Sequence, residues 1–241
     1  MQYPELTALI RSSQNIVFFG GAGVSTESGI PDFRSADGIY NQKHSVPPET
    51  LLSHDYFFAH PKEFFDFYRE KMICPGARPN AAHLALAKLE SEGKLSAVIT
   101  QNIDGLHSLA GSKKVFELHG CVNRNICLKC GRNFDANYVM SSEEIPKCSC
   151  GGLIKPDVVL YGEPLDDAVV SGAVNAIRCA DLLIVAGTSL TVYPAAGFVT
   201  LFRGQNLVLI NKSETPMDAL ASLIIRAPVG AVLGEVCGSG K

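Results

Sequence analysis

Short apolar runs alternate with helical patterns along this chain, and no other feature narrows its possible folds as far. Residues 15–19 (NIVFF) read as a buried strand entering a glycine-rich turn. Residues 96–100 (SAVIT), 182–187 (LLIVAG), 206–211 (NLVLIN) and 222–227 (SLIIRA) repeat the pattern. VFELHG and VVLYGE, starting at Val115 and Val158, read as two more strand-to-loop transitions. Between the strands, Asn80 is placed to cap a helix, AAHLALAKLESEG, that Gly93 stops by supplying a left-handed residue. Residues 166–180 read as another helix. Strands this short and uniformly apolar are buried on both faces. In an alternating chain that means a parallel sheet covered by helices, an α/β domain.

Two segments interrupt the alternation. Residues 34–78 are rich in aromatics, His and Pro (DYFFAHPKEFFDFYREK) at helical spacing, and read as a small helical module. Residues 121–153 carry five of the eight cysteines and too few apolar residues to fold by burial alone. The whole chain has 241 residues, 46% hydrophobic and 19% charged, enough to fill a core. That composition excludes wholesale disorder, a coiled coil and a collagen-like chain. A net charge of −3 disfavours a protein that coats nucleic acid. No apolar run approaches the roughly 20 residues that span a bilayer, and the N-terminus does not read as a signal peptide. The expected compartment is therefore cytoplasmic and reducing, with the nucleus left open. There, cysteines serve as metal ligands or thiols rather than disulfides. The closing GSGK reads as a tail.

The turn after the first strand, GGAGVSTESGIPDFR from Gly20, has glycines where a backbone must approach a pyrophosphate, with a helix N-terminus expected next. It is not a dehydrogenase fingerprint. Counted from Gly21, the third glycine falls on Thr26, and no strand with an acidic ribose ligand follows about 20 residues later. A plain tight strand–helix turn is the competing reading. Asp32, Phe33 and Arg34 follow directly, an aromatic face and a guanidinium that could cover a bound dinucleotide or form an ordinary surface loop.

Polar groups collect at other strand ends. In parallel α/β sheets, ligands bind outside the carboxyl ends of strands. TQNIDGLH puts Gln101, Asn102 and Asp104 there, suited to an amide and ribose hydroxyls, or to capping a helix. His119 closes VFELHG, with an ordinary pKa near 6.5 that suits a general base at neutral pH. Gly187-Thr188-Ser189-Leu190 and Ile210-Asn211 are two more such ends.

Cys127-x-x-Cys130, then seventeen residues, then Cys148-x-Cys150, is a tetrahedral thiolate set on two knuckles with Gly131, Gly151 and Gly152. A closed structural Zn²⁺ site fits it, and metal binding would supply the folding energy the segment lacks. A redox pair at Cys127 and Cys130 is the alternative, but it leaves the second pair unexplained. A nucleic-acid zinc ribbon is disfavoured: Arg124, Lys129, Arg132 and Lys147 face Asp135, Glu143, Glu144 and about two negative charges from the zinc thiolates.

Taken in order, these motifs resemble the sirtuin family of NAD-dependent protein deacylases. The match comprises GAGVS at 21–25, GIPDFR at 29–34, TQNID at 100–104, His119-Gly120, the four cysteines, KPDVVLYGE at 155–163, GTSL at 187–190 and Ile210-Asn211. The resemblance implies a Rossmann-like parallel sheet over 1–33, 79–120 and 155–241, carrying a smaller domain made of a helical insertion (34–78) and a zinc-binding insertion (121–154). It implies NAD contacts from Ala22, Gly23, Thr26, Phe33, Arg34, Gln101, Thr188, Ser189 and Asn211. Asn102, Ile103 and Asp104 would hold the nicotinamide end, and His119 would be the general base. Val159, Tyr161 and Gly162 would line an acyl-lysine channel and pair with substrate as a β-strand. The implied reaction cleaves nicotinamide from NAD, transfers the acyl group of an acetylated-lysine protein to the ribose and frees lysine and O-acetyl-ADP-ribose. A mono-ADP-ribosyltransferase, and an NAD- or protein-binding module without turnover, are the other readings weighed. The presence of Asn102, Asp104 and His119 together argues against the last.

The chain departs from the family pattern at several positions. Gly20 stands where Thr is common, Tyr161 where Phe is, Lys155 where Arg is, and Ala227-Pro228 where an adenine contact is expected. Members that remove succinyl groups carry Tyr-x-x-Arg; here Tyr68-x-x-Lys71 is nearest, and Lys lacks the bidentate fork.

Overall fold

The computed structural model describes residues 2–35, 37–42 and 45–238. The last three residues of the GSGK tail lie outside the described residues. Strands β1 (Ile16–Gly20), β2 (Leu95–Thr100), β3 (Val115–Glu117), β4 (Gly120–Cys127), β5 (Asn133–Phe134), β6 (Ile154–Val158), β7 (Leu182–Ala186), β8 (Asn206–Ile210) and β9 (Leu223–Ile225) form two sheets. The larger has six strands in the order β3-β2-β1-β7-β8-β9. Every pairing in it is parallel. The order runs one way from β1 to β3 and the other from β7 to β9, so it reverses between β1 and β7. That reversal opens a crevice at the carboxyl ends of the strands.

The strand period explains why β1 is uniformly apolar. Ile16 and Phe18 face one core, beneath helices Pro4–Ser12, Ala81–Ser91 and Val229–Gly238, which contribute Leu6, Leu86 and Leu233. Val17 and Phe19 face the other, beneath helix Asp167–Cys179 and the 3₁₀ turn Ala195–Leu201, through Ile177 and Val199. Each large side chain so buried contributes about 1.5–3 kcal/mol. Helix Ala81–Ser91 begins and ends where the sequence places it. The Asn80 side chain accepts from the Ala82 N–H at 2.9 Å, the Asn80 N–H donates to His83 Nδ1 at 3.2 Å, and Gly93 takes φ 72°.

The smaller sheet, β5-β4-β6, is antiparallel. Helices His54–Ala59 and Pro61–Phe67 and the π-helical turn Tyr68–Met72 pack Phe57, Phe64, Phe65 and Tyr68 against Val122, Val139, Val158 and Leu160. The two insertions therefore share one aromatic core. Arg69 ties them further, donating from Nε to the Val139 carbonyl at 2.9 Å. Only the metal-binding tip lacks such support: Cys127, Cys148 and Ile154 are its buried cluster.

Two expectations are corrected. VVLYGE is not a strand of the parallel sheet: the strand before it is β6, paired with β4, and beyond Val158 the chain makes an isolated bridge from Tyr161 to Ser53. β6 also carries residues 155–158 into the smaller sheet, and Leu160 and Tyr161 still meet Phe57, Leu52 and His54 of the helical insertion, so the chain stays packed on the small domain beyond Lys155. The glycine turn leads into no α-helix. Two 3₁₀ turns, Ala22–Val24 and Thr26–Ser28, follow instead, because Gly29 at φ 81° turns the chain before a third turn forms.

Candidate active site

At the crevice, β1 and β7 approach so closely that only glycine fits. A Cβ on Gly21 would lie 2.7 Å from Thr188 Cβ, and one on Gly23 2.8 Å from Gly187 Cα. The Gly23 N–H donates to the Gly187 carbonyl at 2.7 Å. Above this contact lies a cleft of about 980 Å³ between the large sheet and the small domain. The cleft lining contains all the predicted cofactor, catalytic and substrate positions: Ala22, Gly23, Thr26, Phe33, Arg34, Gln101, Asn102, Ile103, Asp104, His119, Thr188, Ser189, Asn211, Val159, Tyr161 and Gly162. They come from the carboxyl ends of β1, β2, β3, β7 and β8 and from the segment after β6, so the topology gathers what the sequence scatters.

His119 sits in the turn between β3 and β4. Its Nδ1 lies 2.9 Å from the Gln101 carbonyl, which can only accept, so Nδ1 carries the proton and Nε2 keeps its lone pair. Burial pushes its pKa below the ordinary imidazole value, partly offset by that carbonyl. Both effects considered, burial favours the neutral ring, the form a base requires. Gln101 is itself held, its Nε2 donating to Thr188 Oγ1 at 3.0 Å.

The other polar centre has Ser25 at its hub, a role that residue spacing did not reveal. Ser25 Oγ donates to Asp104 Oδ2 at 2.6 Å and accepts from Asn102 Nδ2 at 3.0 Å. Asp104 Oδ1 also accepts the Leu106 N–H at 2.8 Å, which starts helix Leu106–Leu109. One carboxylate thus meets both Ser25 and the first N–H of that helix, although the N-cap position itself is Gly105. The only signal for Ser25 was its place in GAGVS, since its partners are 77 and 79 residues away.

Across the cleft, Asp32 Oδ1 accepts the N–H groups of Arg34 and Ser35 at 3.0 and 2.7 Å, which folds PDFR into a compact turn. Phe33 packs edge-on to Tyr40 with centroids 5.4 Å apart, and the Arg34 guanidinium lies 5.3 Å from the Tyr40 ring centroid. The Tyr40 and Tyr161 hydroxyls hydrogen-bond to each other. Burial, then Tyr161, pushes the Tyr40 pKa up. The hydroxyl that distinguishes Tyr161 from Phe is thus satisfied by Tyr40.

The substrate-strand expectation changes in one respect. Tyr161 has no free backbone pair: its N–H donates to the Leu52 carbonyl at 3.0 Å and its carbonyl accepts from His54 at 2.9 Å. The Val159 N–H is spent on the His119 carbonyl at 3.0 Å. Among the described residues, the Val159 carbonyl and Gly162 are the groups of this segment left to meet an extended peptide. Glu163 anchors the segment. Burial opposes its ionisation, but the Leu160 N–H (2.9 Å), His54 and Lys155 Nζ (3.0 Å) hold its carboxyl below the usual range. Lys155 in place of Arg still makes this ion pair.

The four cysteine Sγ atoms all lie within 4.8 Å of one another. Cys127–Cys150 and Cys130–Cys148 are 3.5 and 3.7 Å apart, against an edge of about 3.8 Å for a tetrahedron with 2.3 Å Zn–S bonds. The Gly131 N–H closes one knuckle on the Cys127 carbonyl at 2.9 Å and the Gly151 N–H the other on Cys148 at 2.8 Å. The Cys150 N–H holds the Cys148 thiol below its ordinary pKa, favouring the thiolate. The donor set fits a structural Zn²⁺ with no open position.

A model of the Sir2 family matches residues 21–194. The chain belongs to the Sir2 family. The "NAD-dependent protein deacetylase" of Clostridium perfringens is 59% identical over 236 residues, 96% of this chain and 97% of that protein. The protein of the same description from Clostridium acetobutylicum is also 59% identical over 236 residues, 96% of each chain. Among solved structures, a Sir2 with a deacetylated p53 peptide and 3′-O-acetyl ADP-ribose matches with a TM-score of 0.90 at 40% identity, covering 100% of this chain and 99% of that one. A Sir2 with a p53 peptide and NAD⁺ matches with a TM-score of 0.85 at 41% identity, covering 100% and 99%. The expected sirtuin resemblance and α/β architecture are thereby established. Among the described residues, no helix is long and apolar enough to cross a membrane.

Proposed function

We propose that this Sir2-family chain is an NAD-dependent protein-lysine deacetylase, releasing free lysine, nicotinamide and O-acetyl-ADP-ribose. The observation that carries the reading is the convergence in one cleft of His119, its Nδ1 engaged by the Gln101 carbonyl and its Nε2 left for a substrate proton, and the Ser25–Asn102–Asp104 cluster. NAD, when bound, supplies a cleavable nicotinamide–ribose bond and the ribose hydroxyls that receive the acetyl group. Gly21, Ala22 and Gly23 let the backbone meet its phosphates, with Thr26, Phe33, Arg34, Gln101, Thr188, Ser189 and Asn211 around the rest. Asn102, Ile103 and Asp104 enclose the nicotinamide end, and Ser25 fixes the first and last of these. His119 Nε2 takes the proton of a ribose hydroxyl. Val159, Tyr161 and Gly162 guide the acetyl-lysine, and the Val159 carbonyl and Gly162 pair with the peptide backbone. Phe33 would keep solvent from the ribose carbon that loses nicotinamide until the acetyl oxygen has reached it, and one water is consumed afterwards when lysine leaves the acetyl carbon.

The relatives' shared description and the Sir2 structures with peptide and NAD⁺ or acetyl ADP-ribose support this assignment. The proposed partners are acetylated-lysine proteins rather than nucleic acid. None of the eight cysteines is paired in a disulfide, which fits a cytoplasmic, reducing compartment. The division proposed is a Rossmann-like domain of 1–33, 79–120 and 155–241, from which residues 155–161 reach over to pack on a small domain of 34–78 and 121–154. The test is nicotinamide release measured with and without an acetylated peptide. Release that requires the peptide, together with formation of O-acetyl-ADP-ribose, is expected. Release without it, with ADP-ribose attached to protein, would replace the deacetylase with an ADP-ribosyltransferase.

A further inference from the structure

Asn80 is outside the cleft lining, yet its side chain holds up one wall of it. Oδ1 accepts the Ala82 N–H at 2.9 Å and so caps helix Ala81–Ser91. Nδ2 donates in the opposite direction, to the Val24 carbonyl at 2.8 Å and to Ser28 Oγ at 3.0 Å. One amide thus joins a helix rooted in the core by Ala82 and Leu86 to the loop that carries Gly23 and Ser25.

That loop has no α-helical bonds to fix its shape. Its internal backbone bonds are mostly the short i to i+3 links of two 3₁₀ turns, Val24 to Gly21, Ser25 to Ala22, Ser28 to Ser25 and Gly29 to Thr26, with one longer bond from Ile30 to Ser25 and a side-chain bond from Thr26 Oγ1 to the Gly23 carbonyl. Such turns have poor hydrogen-bond geometry and persist only in short pieces. From the β7 side the loop is held by the Gly23 N–H on Gly187. From the other side Asn80 grips both turns, at Val24 in the first and at Ser28 in the second, while the Gly230 N–H holds only the second, through the Glu27 carboxylate at 2.6 Å. Ser25, between the two grips, is the hub that orients Asn102 and Asp104.

We infer that Asn80 is a positioning residue for the cofactor: its amide donors set the glycine loop, and through Ser25 the nicotinamide-end cluster, in the geometry that accepts NAD. This rests on the deacetylase reading for the identity of the ligand, not for the brace itself. Substitution can separate the two ends of the amide. Asn80→Ser keeps a neutral, effective N-cap but has no amide donor to reach Val24 and Ser28. Asn80→Ala loses both.

NAD affinity is measured by calorimetry, with melting temperature, peptide KM and amide hydrogen exchange at residues 23–28 read on the same full-length, zinc-loaded proteins. Asn80→Ser is expected to keep the parental melting temperature and peptide KM while weakening NAD binding about tenfold and speeding loop exchange by a similar factor. Asn80→Ala should show the same NAD loss and a lower melting temperature. If Asn80→Ser binds NAD within about twofold of the parent, or if its loop exchange is unchanged, the brace is refuted. A parent that fails to bind NAD while Asn80→Ser still speeds exchange would instead defeat the deacetylase reading and leave the brace standing.

Discussion

β1 buries Val17 and Phe19 in one core and Ile16 and Phe18 in another, all with no exposed surface. Around Cys127 and Cys148 the buried cluster adds a single aliphatic residue, Ile154. The first region would keep its shape with any one contact removed. The second has no comparable reserve, and four thiols within 4.8 Å of one another take the place of a core. The contrast teaches where each kind of order is useful. A reaction cleft needs many groups at fixed separations, so it is mounted on the densely packed sheet. A distal tip needs only a closed shape, and one ion suffices.

The largest expected effect tests that contrast directly. Cys148→Ser should abolish stoichiometric zinc and unfold the tip, forfeiting on the order of 10 kcal/mol of local stability. The six-stranded sheet should persist. Metal analysis combined with hydrogen exchange checks this. A zinc-free parent with a protected tip, or loss of protection across the whole sheet in the variant, would break the comparison.

His119→Ala tests the opposite region. It should lower kcat by about a hundred- to ten-thousandfold and leave zinc content unchanged. NAD binding should stay within about tenfold, or roughly 1.4 kcal/mol, because the histidine's bond is to Gln101 rather than to the glycine loop. Turnover close to that of the parent would remove His119 from the mechanism.

The cleft wall shared by both domains predicts acyl preference. The Tyr161 hydroxyl is occupied by Tyr40, Lys71 Nζ is paired with Glu70 at 2.9 Å, and the Arg34 guanidinium lies by the Tyr40 ring. Among the described residues, neither Lys71 nor Arg34 presents an unengaged cation beside Tyr161 to a buried succinyl carboxylate, which is costly to desolvate alone. Acetyl-lysine should exceed succinyl-lysine by at least about a hundredfold in kcat/KM, roughly 2.7 kcal/mol. Matched peptides measure it, and equal values would show that Lys71 changes partner.

The smallest predicted effect sharpens the account of the sheet. His107 is packed against His83 and Phe18, ring centroids 4.6 and 5.9 Å away, and neither ring nitrogen has a partner. Burial, reinforced by His83, lowers its pKa to about 3. In the unfolded chain the same imidazole titrates near 6.5. Below about 6.5 the unfolded state binds the extra proton, so stability is fully present above that pH and falls as pH drops. One such group costs about 2 kcal/mol between pH 7 and pH 5. Urea melts at both values should show it, and His107→Leu should flatten the dependence. An equally steep loss in that variant would place the acid sensitivity elsewhere.

How far the sequence could be read depended on the range of the interactions. The cap and stop of helix Ala81–Ser91 were legible because Asn80 and Gly93 act on neighbours within a few residues. The cysteine set was legible because a ligand pair must lie on one knuckle. Polar strand ends were legible because a parallel sheet assigns all its carboxyl ends to one edge. Ser25 was missed as a hub because a serine in a glycine turn looks the same whether or not Asp104 and Asn102 meet it. β6 was misassigned because KPDVVLYGE contains an apolar run that fits either sheet. The spent backbone of Tyr161 was invisible because its partners, Leu52 and His54, come from the other insertion.

The sequence by itself determined the α/β class, the two insertions, the cysteine donor set and the residue types offered to the cleft. These follow from period, spacing and side-chain chemistry, which are properties of the chain alone. Only the tertiary structure decided that the insertions share one aromatic core, that Gly21 and Gly23 meet Thr188 and Gly187 across the strand reversal, that His119 Nδ1 meets the Gln101 carbonyl, and that Asn80 grips the glycine loop. Each of these depends on atoms distant in sequence arriving within a few ångströms, and packing of the two layers on one sheet is what brings them there.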